Sequence, residues 1–189
     1  MSSTEPVACP ASLRICDSYQ PGQHSRQHGS AIHLLNAGIL KAVVAQECIT
    51  AYNDLKLSKK FKYIIYKLSD DNKEIVVEEA SADKDWDNFR EKLINAKSKS
   101  KSGAIGKGPR YAVYDFEYNL ASGDGIRNKI VFIAWSPDDA GVQPKMIYAS
   151  SKEALKRSLT GIASELQAND SDDIEYDTML KTVSKGLAA

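Results

Sequence analysis

With 189 residues and 25 basic against 25 acidic groups, the chain has room for one cored domain and a tail, and no net field to draw it to nucleic acid. Three cysteines without paired spacing (Cys9, Cys16, Cys48) argue against a disulfide framework and fit a reducing compartment. No run approaches the ~20 apolar residues of a transmembrane segment, and the start lacks a signal-peptide pattern.

Residues 1–41 are rich in Ser, Pro, Gln, Gly and His and show no hydrophobic period, so they read as an N-terminal extension without stable structure. The folded domain is expected over 42–189. Cys9 and Cys16 precede His24, His28 and His33, which invites a zinc reading, but the spacing is not of the C-x-x-C kind and no metal or other cofactor is expected. The short apolar run at 31–40 is either a lead into the first helix or a weakly ordered segment.

Val44, Cys48, Tyr52 and Leu55 share a helical stripe, predicting a first helix over 44–56 with Cys48 as a buried structural thiol. FKYIIYKL at 61–68 and EIVVEEAS from 74 predict a hairpin joined by five residues. Trp86, Phe89 and Leu93 mark a short helix after capping candidates at 81–85. The segment 97–110, KSKSKSGAIGKGPR, holds five basic residues and no acid, and reads as a flexible loop. It is either a contact for an acidic partner, such as a filament or an anionic lipid head group, or a merely solvated connection.

Residues 111–120 and 126–135 are the longest strand-like runs, with SGDG turning between them. VFIAW predicts a strand covered on both faces. Arg127 and Lys129, two apart, project the same way. A long helix is predicted over 144–166. Its inward stripe is Tyr148, Leu155, Leu159, Ile162 and Leu166; its outward stripe is Met146, Ser150, Glu153, Arg157, Thr160 and Ser164, flanked by Lys145, Lys152 and Lys156. Small groups around one soft apolar anchor let another surface approach closely; an ordinary amphipathic helix reads the same by period alone. A short strand at Ile174 and a last helix capped by Asp177 follow, with Leu180 and Val183 inward and Lys181 and Lys185 outward. The sum is a mixed α/β (α+β) architecture, a central sheet flanked by helices on both faces.

Catalytic signatures are missing. No P-loop, G-x-G-x-x-G, H-E-x-x-H or G-x-S-x-G occurs, and all three histidines lie in the tail. An enzyme is not expected.

Three motifs in order, YAVYDFEY at 111–118, WSPDDA at 135–140 and PKMIYASSKEALKRSLTG at 144–161, resemble the actin-depolymerising factor/cofilin family, and the similarity runs from about Val44 to Gly186. The resemblance implies that family's homology fold. It also implies a monomeric protein of the cytoplasm, cytoskeleton and nucleus that binds monomeric and filamentous actin, prefers the ADP state, and severs and depolymerises filaments. Lys145, Met146, Lys152, Glu153, Lys156 and Arg157 would contact the actin monomer; Arg127, Lys129 and Lys185 would contact a second subunit in the filament. Leu40 and Lys41 hold the place of the family's switch serine, so phosphorylation there is not carried over. Gln143 stands where some relatives have a base, and Lys181 and Thr182 depart from the usual last helix. The rival reading is a non-severing adaptor of the same fold that binds a branching complex or anionic phosphoinositides. The extension is either genuine or drawn from a wrong exon.

Overall fold

Two alternations of apolar side chains, one per face, decide this architecture. In the computed structural model, which describes residues 41–99, 103, 105–119 and 125–184, they belong to a single six-stranded sheet. The elements are β1 (Val43–Val44), α1 (Gln46–Lys56), β2 (Tyr63–Leu68), β3 (Glu74–Ser81), α2 (Trp86–Ile94), β4 (Lys97–Lys99), β5 (Ile105–Lys107), β6 (Arg110–Asn119), β7 (Ile126–Trp135), α3 (Val142–Ser158), β8 (Ser164–Ala168) and α4 (Tyr176–Ser184). The sheet order is β1-β3-β2-β6-β7-β8, parallel at β1/β3 and β7/β8 and antiparallel elsewhere.

Along β6 and β7, Ala112, Tyr114, Phe116, Val131 and Ile133 face one way and meet Trp86, Phe89 and Leu93 of α2 and Met179 and Val183 of α4. Tyr111, Val113, Phe132 and Ala134 face the other way and meet Cys48, Tyr52 and Leu55 of α1 and Tyr148 and Leu155 of α3. The run VFIAW is therefore buried on both faces, as its composition predicts. Cys48 is fully buried, its Sγ donates to the Ile75 carbonyl at 3.2 Å, and burial pushes its thiol up to about 12. It is a structural thiol.

Five expectations need correction. The first helix begins at Gln46 rather than Val44, because Val43 and Val44 pair with Glu74 and Ile75 as an edge strand. The basic segment is not a loop throughout: Lys97–Lys99 and Ile105–Lys107 pair antiparallel as a hairpin, and Arg110 lies inside the molecule, 3 % exposed. Ile174 is buried but lies in a turn before α4, not in a strand, and Asp177 sits inside the first turn of that helix rather than capping it, because the helix already starts at Tyr176. The long helix runs over Val142–Ser158, not 144–166. Gly161 turns the chain with φ +95°, and residues 164–168 pair with β7 as a parallel strand. Thr160, Ile162, Ser164 and Leu166 consequently leave the helical stripes. The extension, its cysteines and histidines, and Lys185 lie outside the described residues.

Candidate functional site: the outer face of the long helix

Helix α3 is fixed from beneath. Leu155 is fully buried, and Tyr148, Ser151 and Leu159 are buried beside it. The Tyr148 hydroxyl accepts from the Leu68 amide at 3.0 Å, and its carbonyl accepts from the Tyr111 hydroxyl. Ser151 Oγ accepts from the Ala42 amide at 3.0 Å. Past the C-terminus, the Thr160 carbonyl accepts from Tyr52 Oη at 2.9 Å and Lys56 Nζ at 2.8 Å, both from α1. Such bonds satisfy backbone groups that a helix end leaves over. Gly161 takes φ +95°, a backbone conformation that favours glycine, and a Cβ there would only displace the flexible end of Lys56.

The opposite face is turned out. Met146 is 65 % exposed, and Ala149, Glu153 and Arg157 are exposed with it. Ile162 packs partly buried against the core on the inner side. The flanking lysines are engaged within the molecule. Lys145 Nζ donates to the Asp138 carbonyl at 3.1 Å, with Oδ1 at 3.4 Å. Lys152 pairs with Glu165 of β8 at 2.8 Å, and Lys156 pairs with both Glu165 and Glu153, the latter at 3.3 Å. Hydrogen bonds from Lys152 and Lys156 hold the Glu165 carboxyl below the usual carboxylate range. Those from Glu165 and Glu153 raise the Lys156 ammonium. Of the four cations expected here, Arg157 enters no ion pair among the described residues.

The second group of expected residues sits on β7. Arg127 is exposed opposite Tyr118. Lys129 projects the same way, but its Nζ donates to the Val183 carbonyl at 2.6 Å and lies 5.6 Å from the Tyr118 ring centroid. It closes the C-terminal turn of α4, where a helix concentrates negative partial charge. Its charge serves the fold, which the expectation of an outward reach did not foresee.

Residues 41–184 match the family described as cofilin/tropomyosin-type actin-binding protein. The chain belongs to the actin-depolymerising factor/cofilin family. It is 80 % identical over 148 residues to a cofilin of Gibberella zeae, covering 78 % of this chain and 97 % of that protein. It is 47 % identical over 146 residues to a cofilin of Saccharomyces cerevisiae, covering 77 % and 94 %. Among solved structures, the crystal structure titled as Streptomyces griseoflavus cofilin aligns with a TM-score of 0.66 at 40 % identity, covering 76 % of this chain and 98 % of that one.

In this cofilin-family chain, Glu165 is the site residue that sequence reading missed. Counted as part of the helix, it had no evident role. Placed on β8, it holds two lysines of α3 together. The signal was present: Gly161 two residues after Leu159 is a helix stop, and SELQA alternates with the period of a strand. Asp138, in the turn before α3, holds Lys145 through its carbonyl and Oδ1.

Proposed function

We propose that this cofilin-family chain binds monomeric and filamentous actin with preference for the ADP state, and that it severs and depolymerises filaments in the cytoplasmic actin cytoskeleton. The observation that carries the reading is the outer stripe of α3. Met146, Glu153 and Arg157 stand clear of their own core on a helix whose inner face is pinned by Leu155, Ser151 and Tyr148. A rigid helix with an exposed apolar anchor suits insertion into a hydrophobic groove, which is the helix-in-groove mode of recognition. Met146 supplies the apolar contact, Arg157 a free cation and Glu153 an acceptor. Lys145, Lys152 and Lys156 form the basic flank, exchanging internal carboxylates for those of the partner at little net cost because surface pairs are weak. Arg127, Lys129 and Lys185 address the second subunit.

Severing follows from bridging two subunits. A ligand that fits only one filament twist shifts the population toward that twist, and the boundary with bare filament carries the strain. The test is direct observation of single fluorescent filaments, with co-sedimentation of the wild type and of Lys145→Ala/Lys156→Ala. Fragmentation by the wild type and reduced pelleting of the double variant are expected. Binding without fragmentation excludes severing, and unaltered pelleting of the variant excludes the helix assignment.

A further inference from the structure

Where α3 gives way to β8, one hydroxyl is left over. Residues 154–164, ALKRSLTGIAS, hold Lys156 and Arg157 and no acid. Three hydroxyl side chains lie in this run. Ser158 is half-buried, and its Oγ donates back to the Ala154 carbonyl at 3.1 Å. Ser164 is half-buried on β8, opposite Val131. Thr160 is exposed, and its hydroxyl enters no hydrogen bond among the described residues. Its backbone is nevertheless fixed, because its carbonyl accepts from Tyr52 Oη and Lys56 Nζ. The helix ends at Ser158, Leu159 leaves helical geometry with φ −103° and ψ 86°, and Gly161 turns the chain. Thr160 is therefore presented on a turn rather than within the helix.

The groove around this hydroxyl is open, about 510 Å³, and Lys156, Arg157, Thr160 and Glu165 line it together. Glu165 is engaged there by Lys152 and Lys156. Arg157 enters no ion pair among the described residues, and neither does Lys56, whose Nζ donates to the Thr160 carbonyl at 2.8 Å. Two cations without a carboxylate thus flank one exposed hydroxyl. In sequence, Arg157 stands three residues before Thr160 and Lys156 four before it. Kinases select substrates by such charge patterns, and basic groups upstream of the acceptor suit a kinase cleft lined by acids.

We propose that Thr160 is a phosphorylation site for an arginine-directed serine/threonine kinase, and that its phosphate weakens the hold of α3 on actin. The second half rests on the actin-binding reading above. In the transfer, Thr160 Oγ1 attacks the γ-phosphorus of kinase-bound ATP, the bond to the β–γ bridging oxygen breaks and ADP leaves. The hydroxyl proton passes to the catalytic carboxylate of the kinase. The product carries about two negative charges and three acceptor oxygens. Lys56 and Arg157 are the cations placed to pair with it. Arg157 is then no longer available to a partner, and the end of the outer face changes sign. A surface that met a cation there now meets a dianion, and like charges across an interface repel.

The full chain and its Thr160→Val variant, which keeps the branched shape and loses the hydroxyl, are incubated with ATP and the catalytic domain of a calmodulin-dependent protein kinase. Peptide mapping by mass spectrometry locates the phosphate, and the treated and untreated chains are titrated against ADP-actin monomers. The wild type is expected to gain one phosphate, on Thr160, and to bind about tenfold more weakly, by a factor that shrinks as salt is raised. Its unfolding midpoint should stay in place, and phosphatase treatment should restore its affinity. The Thr160→Val variant should take no phosphate and bind alike with and without kinase. A wild type that stays unmodified, or carries its phosphate elsewhere, overturns the site. Phosphate on Thr160 with unchanged affinity overturns the effect on actin, as does weakened binding that accompanies a collapsed unfolding midpoint. Failure of the untreated wild type to bind overturns the actin reading and that effect with it, while the mapped phosphate still decides the site.

Discussion

The two regions proposed to contact actin differ in what their charged groups already do. On α3, Met146 and Arg157 are spared from folding and Glu153 makes only a surface pair with Lys156, because Tyr148, Ser151 and Leu155 on the other side hold the helix. On β7, Lys129 is spent on the last turn of α4 and only Arg127 stands free. A contact surface on the back of a packed helix can vary without endangering the fold. One drawn from a strand end and a helix terminus shares its residues with the fold. Mutations should therefore separate binding from stability on α3 and fail to separate them on β7.

The sharpest test of that contrast is Met146→Ala, which should weaken monomer binding about tenfold, the size of a buried apolar hot spot, with the unfolding midpoint unchanged. Lys129→Met should cost about 1 kcal/mol of stability in chemical denaturation, from loss of a charge-assisted bond at a helix end. Arg127→Ala should leave the denaturation curve in place and lower filament pelleting. If Lys129→Met unfolds at the wild-type midpoint, the contrast between the regions is gone. Glu165→Gln gives the smallest effect, about 0.5 kcal/mol, because the pairs with Lys152 and Lys156 are only partly buried. The folded Glu165 holds its proton less tightly than the unfolded chain does. Its contribution is thus complete above the unfolded carboxyl value of about 4.3 and fades as acid passes below it. The wild type should lose this increment in acid and the glutamine variant should not, as urea midpoints at neutral and acidic pH will show.

Much of this was written in local periodicity. The stripe Cys48, Tyr52 and Leu55, the double-sided burial of VFIAW, and Leu155 set against Met146 follow from spacing alone. The end of α3 did not, because Leu159, Ile162 and Leu166 fit a helical stripe until the positive φ of Gly161 breaks it. Commitments between distant residues were also hidden. Arg110 reads as one more base in a polar run, and only the folded sheet brings Glu78 to it. Lys129 reads as an exposed strand charge until α4 lays its Val183 carbonyl over it.

Because α3 is the connection between parallel partners β7 and β8, its span is set by their pairing, from Val131 opposite Ser164 to Trp135 opposite Ala168. Removing one residue from the helix would swing every later side chain through about 100° and ask an edge strand to slip. Divergence at this face therefore has to proceed by exchanging letters, never by changing their number. Anyone redesigning the protein for another filament inherits a ruler of fixed length.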